Sequence, residues 1–383
     1  TQVSVIGATG NYNSATHILT LSNITGDITV TAFESSSVTL INKILDLVDG
    51  QDSTTSTLIT VNSDDNTCTN TFMYDQTSDN NLRYVGASPC NYVYFNCDPD
   101  SNPSGTTCEL WRIIGLMNNV NGNSPSVKLV KEDSIGAWNW DSSKNPETDA
   151  AGLTSNQGFN DWRYADLMHI LNPVDETFDY SLINWQNQTF ENANKAVYWN
   201  RTTGYCARGN SNDVRECDFT ANGLYDATKT YIDTVTWYTA GSNYSNNTYG
   251  NTTELYSYER NGRNNTVRNG RSKTWNGLVG LIGPSDYAFA SGPSCITANP
   301  KSWDSSCLQN YLNKGNHFWT IMLNHNNQHY VIYIDSNGYL ADTYASRYDN
   351  YNIYVYPSLF LKQDVVVLDG NGSINNPYVL SIQ

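Results

Sequence analysis

A serine stands among small and acidic residues in the stretch GLIGPSDYAFA, residues 280–290. Ser285 and the adjacent Asp286 are residue types that a hydrolase uses, with a serine nucleophile, a base and a carboxylate that orients the base. The nucleophile elbow of such enzymes requires G-x-S-x-G, because only small residues fit beside the strained serine. Tyr287 occupies the second glycine position. The stretch therefore predicts a turn or a helix start, with Ser285 or Asp286 as the N-cap of a helix from Tyr287 onward.

Histidines and acidic turns offer candidate metal sites. His325 and His329 lie four residues apart, a spacing that would place both on one face of a helix as metal ligands. The intervening Asn326-Asn327 favours a turn between two strands, so we expect two exposed loop histidines. The turns at Asp335 and Asp369 lack the remaining ligands of a calcium loop. We expect neither a metal nor a cofactor.

A glycan-acting hydrolase would need two carboxylates in one cleft. The sequence offers Asp141, Asp161 and Asp286, but their spacing does not place them against each other. Asp141, with Glu147 and Asp149, favours a solvated acidic loop. Hydrolysis is therefore the third alternative, and we expect that the protein is not an enzyme.

Aromatic side chains beside Asn and Asp are typical of a sugar-binding groove. The tyrosines of residues 339–356, YLADTYASRYDNYNIYVY, lie among such residues in a predicted loop, and we take Tyr344, Tyr348 and Tyr351 as candidate ligand-binding residues. Tryptophans are spread through the chain, and we expect most of the following in the core: Trp138, Trp140, Trp162, Trp275, Trp303 and Trp319.

The eight cysteines lie in polar loops and show no zinc-type spacing. They favour disulfides and an oxidising, extracellular compartment. Proximity along the chain favours three pairs that each close a short loop, and this leaves the fourth: Cys97 with Cys108, Cys206 with Cys217, Cys295 with Cys307, and Cys68 with Cys90.

The charge of the chain limits its partners. A net charge of −16 at pH 7 disfavours nucleic acid and anionic lipid, because binding to phosphate needs clustered Lys and Arg. No apolar run is long enough to span a membrane. The chain opens at Thr1 without a signal-like apolar segment, so we expect a processed, mature N-terminus.

Composition predicts three regions in the chain. Residues 1–36 predict a small all-β module, with a hairpin in 17–33 that turns at Thr25-Gly26-Asp27 and buries one face. Residues 37–66 predict a helix, stopped by Gly50, and a Ser/Thr/Asp-rich linker. Residues 67–383 predict a loop-rich, disulfide-stapled main domain of the α+β class.

Within the main domain, apolar and aromatic runs predict strands. The strand candidates are NYVYFNC, ELWRIIGLM, SVKLVKEDSIG, HFWTIML, HYVIYID, YPSLFLK and PYVLSI. FNDWRYADLMHILNP predicts a helix capped by Asn160 or Asp161 and closed by Pro173. Residues 238–271 show little apolar periodicity and predict long surface loops.

An ordered set of motifs carries a resemblance to a known family. The chain from about Asp65 onward resembles a large uncharacterised family of secreted or surface-attached bacterial proteins from low-GC Gram-positive lineages. The motifs are RYVGASPCNYVYFNC, ELWRIIGLM, SVKLVKEDSIGAWNWD, NDWRYADLMHILN, LVGLIGPSDYAFA, HFWTIML and YPSLFLKQDVVVLDGNGSINNPYVL. The resemblance implies an extracellular location and no established catalysis, with GPSDYAFA as a structural turn.

Two partial resemblances concern the fold. The last third is remotely similar to formylglycine-generating and C-type-lectin-like folds, whose closing motif WT…VRP is here HFWT…VYP, with Tyr356 in place of the arginine. The segment NYNSATHILTLSNITGDITVTA resembles short immunoglobulin-like modules of Gram-positive surface proteins. Such modules serve as stalks or assembly units, which the resemblance implies for residues 1–36.

Two functions of different classes remain open. The first is a secreted, non-enzymatic structural subunit of a surface filament, pilus or layer. It would bind copies of itself or other surface proteins when residues 1–36 pair with the open sheet edge of a neighbour. The alternative is a lectin-like adhesin that presents Tyr344, Tyr348 and Tyr351 to a glycan or a protein receptor.

Overall fold

The structure is a computed structural model, and its described part divides into two compact units. The units are Thr1–Val38 and Thr39–Gln383. In the described residues of both units, strands are more numerous than helices. The described residues are 2–6, 8–13, 18–33, 38–63, 67–122, 125–142, 158–178, 184–185, 188–189, 195–207, 214–242, 249–268, 270–347 and 352–382.

The described residues of the N-terminal unit form short strands: β1 (Gln2–Ile6), β2 (Thr9–Asn13), β3 (Ile18–Ser22) and β4 (Thr29–Phe33). They form two antiparallel ladders, in which β1 pairs with β4 and β2 pairs with β3. The predicted β3–β4 hairpin is therefore wrong, because each of these strands takes an earlier strand as its partner. Of its predicted buried face, Ile28 and Val30 are 37% and 46% exposed, whereas Leu19 and Leu21 are half-buried.

The next segment contains β5 (Val38–Thr39), α1 (Leu40–Leu47) and β6 (Ile59–Asn62). Thr39 caps α1, since its hydroxyl accepts a hydrogen bond from the backbone N–H of Asn42. The helix buries Leu40 and Ile44 in the core of the main unit, and β6 pairs with β7 (Thr69–Tyr74). From Thr39 onward, the predicted linker 37–66 thus belongs to the main unit.

The remaining described elements all belong to the main unit. In chain order they are β8 (Leu82–Tyr84), β9 (Tyr92–Phe95), β10 (Glu109–Met117), β11 (Ser126–Lys131), α2 (Asp166–Leu171), β12 (Asn184–Trp185), β13 (Gln188–Thr189), β14 (Thr203–Ala207), β15 (Val214–Asp218), α3 (Asp226–Lys229), β16 (Val235–Tyr238), α4 (Thr252–Asn261), β17 (Thr274–Gly277), β18 (Val279–Gly280), α5 (Pro284–Phe289), β19 (Phe318–Leu323), β20 (Tyr330–Ile334), β21 (Leu340–Tyr344), β22 (Ser358–Phe360), β23 (Val365–Asp369) and β24 (Tyr378–Ile382). The strands predicted at β9, β10, β11, β19, β20, β22 and β24 are confirmed.

The largest sheet has the order β18-β22-β11-β10-β9-β24-β23, and β8 also pairs with β10. Where β8 meets β10, a Cβ on Gly115 would lie 2.1 Å from the backbone oxygen of Leu82, so only glycine fits. All six residues of β11 are buried, including Lys128 and Lys131. Two lysines in a buried strand need anionic partners, because an unpaired buried charge is costly. Smaller sheets flank this one: β19-β20-β21, β14-β15 and β16-β17.

The predicted helix in residues 159–173 is formed by two pieces. A 3-10 turn at Trp162–Tyr164, capped by Asp161, precedes α2, and the extended backbone of Ala165 separates them. Four residues of this segment are buried: Trp162, Ala165, Met168 and Leu171.

A helix also lies where long loops were predicted, in residues 238–271. α4 begins at a capping box, in which the Asn251 side chain accepts from Glu254 N at 2.9 Å. The Glu254 carboxylate accepts from Asn251 N at 2.8 Å. The loop prediction is wrong here. The capping box and the burial of Leu255 and Tyr256 stabilise a helix whose apolar residues show little helical periodicity.

The eight cysteines form four disulfides: Cys68–Cys90, Cys97–Cys108, Cys206–Cys217 and Cys295–Cys307. This is the pairing that proximity along the chain favours. Such a set of disulfides is typical of extracellular proteins. Each helix in the described residues is too short or too polar to cross a membrane.

Candidate functional site

An open cleft of about 480 Å³ lies beside α2 and β17, and we call it the aromatic cleft. Ligand sites for small molecules enclose about 300–1,000 Å³ and combine apolar walls with a few polar groups. The described lining of the aromatic cleft has this composition. It includes the rings of Tyr164, His169, Phe178 and Trp275, and the polar side chains of Arg163, Asn172, Asp175 and Asn276.

One wall of the cleft comes from α2 and the residues on either side of it. The Tyr164 ring lies 5.6 Å from the ring of Phe178, centroid to centroid. Phe178 in turn lies 4.7 Å from the imidazole of His169. The three rings contact one another, so this wall is a continuous aromatic surface.

The other wall is centred on Trp275 in β17. Its ring lies 6.3 Å from Trp237, its partner across the β16–β17 ladder, and 6.0 Å from the buried Trp162. A Cβ on Gly277 would lie 2.0 Å from the Trp275 indole, so the ring lies across a glycine. These contacts hold the partly exposed indole in one orientation before any ligand binds.

Asn172, just after α2, joins the two walls. Its Nδ2 donates to the backbone oxygens of Met168 at 2.9 Å and Val279 at 2.8 Å. Its Oδ1 accepts from the backbone nitrogens of Leu278 at 3.3 Å and Val279 at 2.9 Å. A side-chain amide can form four such bonds. Three of them connect the end of α2 to residues 278–279, and the fourth, to Met168, stays within the last turn of α2.

The described lining of the cleft contains few ionisable side chains. The Arg163 guanidinium is neutralised by Asp161, with contacts of 3.0 Å and 2.6 Å. Burial lowers the pKa of His169 to about 3, so its imidazole is neutral. The exposed Asp175 accepts hydrogen bonds from Thr177, and these bonds lower the pKa of its carboxyl.

The described lining of the cleft does not bring together the carboxylates singled out from the sequence. Asp175 is the single carboxylate among its described lining residues, whereas glycoside hydrolysis uses two. Asp161 is paired with Arg163, and Asp286 lies in a separate cluster described below. Asp141 is buried, and its carboxylate accepts from the backbone nitrogen of Phe159 at 2.6 Å.

A cluster of buried charges lies under a smaller cavity of about 60 Å³. We call it the ionic core, formed by Asp75, Arg83, Lys128, Glu259 and Asp286. Arg83 pairs with two carboxylates. Its Nε lies 2.9 Å from Asp75 Oδ2, and its Nη1 lies 2.7 Å from Asp286 Oδ1. Lys128 Nζ lies 2.6 Å from the second oxygen of Asp286. Burial opposes the ionisation of Asp286, but Lys128 and Arg83 hold its pKa well below the usual range.

Ser285 lies beside the ionic core and is bound by Glu259. Its hydroxyl donates to Oε2 at 2.6 Å, and its backbone N–H donates to Oε1 at 2.7 Å. Helix α5 starts at Pro284 with Gly283 as its N-cap, earlier than the predicted start at Tyr287. Neither Ser285 nor Asp286 is the N-cap, because Pro284 already fits the first helical position. Glu259 therefore caps the buried start of the helix.

Two predictions of exposed side chains are wrong because the side chains have backbone partners in the interior. His329, predicted as an exposed loop histidine, is buried, and its Nδ1 lies 2.6 Å from the carbonyl oxygen of Gly158. His325 is half-buried. Asp141, predicted in a solvated loop, is buried, while Glu147 and Asp149 lie outside the described residues.

Of the candidate tyrosines, Tyr344 is described and does not line the aromatic cleft. Tyr344 ends β21, and its ring packs edge-on against Tyr330 at 4.7 Å. Tyr348 and Tyr351 lie outside the described residues. Of the tryptophans singled out from the sequence, Trp275 lines the cleft and the others are buried: Trp138, Trp140, Trp162, Trp303 and Trp319.

The comparisons with known proteins name no relative. No family model, no curated protein and no solved structure matches the chain. Function is therefore inferred from the two sites, the aromatic cleft and the ionic core. Only the aromatic cleft is open and large enough for a small organic ligand.

Proposed function

We propose that the protein is an extracellular, non-enzymatic binding protein that holds a sugar in the aromatic cleft. The observation that carries this proposal is the convergence of Tyr164, Phe178 and Trp275 on one open cleft beside the amide of Asn276. The C–H faces of a sugar ring pack against aromatic rings, and its hydroxyls bond to polar groups at the rim.

A lectin-like adhesin of a bacterial surface is the biological role that we propose for this site. The resemblance to surface-attached proteins supports it, as do the disulfides. A C-type-lectin-like fold is part of the same proposal, and the loop-rich, disulfide-linked main unit is compatible with it. Tyr356, in place of the arginine of that fold's closing motif, accepts a hydrogen bond from Asn316 Nδ2 at 2.8 Å.

The test is a glycan screen followed by titration of the selected sugar. Trp275→Ala should weaken binding at least about tenfold, because loss of an aromatic anchor at a binding hot spot costs about 2 kcal/mol or more. Trp199→Ala is the matched control, since Trp199 is partly exposed, packs near Lys229 and does not line the cleft. Equal affinity of the Trp275 variant and the wild type would disprove the proposal.

A structural subunit is the second candidate, and the N-terminal unit favours it. Its described strands lie in two-stranded ladders, in which every strand has an unpaired edge within the unit. Ile18, Ile24 and Val30 are 60%, 62% and 46% exposed there. Unpaired edges beside exposed apolar side chains are suited to strand addition by another copy.

A further inference from the structure

A basic segment interrupts the acidic chain. Residues 260–273, RNGRNNTVRNGRSK, contain five Lys and Arg residues and no Asp or Glu, although the whole chain has a net charge of −16. The segment connects the end of α4 to β17, the strand that supplies Trp275 to the aromatic cleft. A concentration of positive charge therefore leads directly into one wall of the proposed sugar site.

The fold brings two arginines of this segment next to Arg163, which lines the aromatic cleft. Arg163 Nη2 donates to the backbone oxygen of Gly270 at 3.0 Å, and Arg271 is the next residue. Arg268 and Arg271 both donate to Gln328, the first to its Oε1 and the second to its backbone oxygen, each at 3.3 Å. We call Arg163, Arg268 and Arg271 the arginine cluster.

The arginine cluster carries more positive charge than its ion pairs neutralise. Asp161 pairs with Arg163 at 2.6 Å. The hydrogen bonds that Arg268 and Arg271 make within the described residues go to amide and carbonyl oxygens, which are uncharged. Two of the three guanidinium charges thus have no carboxylate partner in the part of the chain that the structure describes.

The three guanidinium groups are close enough to affect one another. Burial lowers the pKa of Arg271 to about 10, the charge of Asp161 opposes this shift, and the charges of Arg268 and Arg163 add to it. Arg271 therefore stays charged at neutral pH, against the repulsion of its neighbours. A bound anion would offset this repulsion, because an opposite charge favours the charged form of a group.

The cluster also offers donors that are held in place before any ligand binds. The guanidinium carbon of Arg271 lies 3.4 Å from the centroid of the buried Phe159 ring, so the group is stacked on a fixed surface. Neither its Nη1 nor that of Arg163 donates to another described residue. Guanidinium N–H donors match the oxygens of a carboxylate or sulfate group, often with two parallel bonds.

We propose that the ligand is an acidic glycan, whose carboxylate or sulfate group binds to the arginine cluster while a sugar ring packs on Trp275. This inference rests on the proposed function and names the class of sugar. Asp175 also lines the cleft, and its negative charge would direct the anionic group away from itself and toward the arginines.

The test uses an array of matched oligosaccharides: oligouronides with their carboxyl-reduced forms, and sulfated oligosaccharides with their desulfated forms. The sugar bound best by the full chain should be acidic. Its neutral counterpart should bind at least about tenfold more weakly, because hydrogen bonds to charged groups are stronger than neutral ones. This preference should decrease as salt is added. A best-bound sugar without an acidic group would overturn the inference and leave the proposed sugar site standing.

Variants locate the anionic group. Arg268→Gln and Arg271→Gln should each weaken binding of the acidic sugar at least about tenfold and leave the affinity for its neutral counterpart unchanged. Arg263→Gln is the matched control, since it removes the same charge from the same segment, and its guanidinium lies 5.4 Å from the Tyr258 ring. Arg263→Gln should bind like the wild type.

Two further outcomes are decisive. Arg268→Gln keeps the test independent of Arg271, whose removal from the Phe159 ring could lower the melting temperature. Full affinity of a folded Arg268→Gln variant for the acidic sugar would contradict the proposal. If Arg268→Gln loses binding but Trp275→Ala does not, the anion site stands and the aromatic cleft is not the sugar site.

Discussion

His169 and Glu259 are both ionisable and almost fully buried, and their surroundings determine what each can do. Burial lowers the pKa of His169 to about 3 and raises that of Glu259 to about 7. In both cases the neutral form is favoured, because a charge in the interior loses its hydration. His169 thus contributes an uncharged polar ring to the aromatic cleft. Glu259 becomes a carboxyl group able to exchange a proton inside the ionic core.

The burial of His169 predicts a loss of stability in acid. Its pKa in the folded protein is about 3, below its usual 6.5, so the unfolded chain binds the extra proton. The free energy of unfolding should therefore fall below pH 6.5, by up to about 1.4 kcal/mol per pH unit from this residue. Urea unfolding of wild type and His169→Gln between about pH 6.5 and about pH 5 measures it. Parallel pH profiles would contradict this prediction.

The residues of the aromatic cleft were only partly predictable from the sequence. Trp275 was a candidate because of its residue type, whereas Tyr164, His169 and Phe178 were not singled out. The cleft forms only when segments distant in sequence meet, as Asn172 and Val279 do across 107 positions. A pattern of neighbouring residues does not predict a contact between segments so far apart in sequence. The candidate tyrosines were chosen from local composition alone, and Tyr344 packs against Tyr330 instead.

Elements whose stability comes from apolar runs were predicted, and those stabilised by specific partners were not. The runs in β10 and β19 predicted strands, and both are buried. The N-terminal hairpin was wrong because β3 pairs with the preceding strand β2, and β4 pairs with the more distant β1. α4 was missed because its apolar pattern is weak, although the N-x-x-E sequence at Asn251 and Glu254 is a helix-start signal.

The capping box of α4 should contribute measurably to stability. Asn251→Ala removes the acceptor for the backbone N–H of Glu254, and we expect a loss of about 1 kcal/mol in the free energy of unfolding. Asn251→Ser is the control, because serine caps helices as well as asparagine, and either change removes the sequon at this position. Urea denaturation distinguishes the three proteins. An alanine variant as stable as the serine variant would mean that tertiary contacts alone hold α4.

At the scale of the whole molecule, the disulfides act locally. They span sequence separations of only 22, 11, 11 and 12 residues. In the chain-entropy model, a cross-link restricts the unfolded chain more as the loop it closes becomes longer. The Lys128–Asp286 ion pair spans 158 positions and connects the largest sheet to α5. It supplies a long-range contact of a kind that the disulfides do not.

The division into two units separates the two candidate functions experimentally. Deletion of residues 1–36 removes almost all of the N-terminal unit and leaves the main unit intact, since that unit begins at Thr39. If the strands of residues 1–36 assemble the protein, electron microscopy of the purified, non-reduced full-length chain should show regular filaments or sheets. The deletion variant should show discrete particles with an unchanged melting temperature and unchanged sugar binding. Filaments from the deletion variant would rule out these strands as the junction, because strand addition requires their backbone groups.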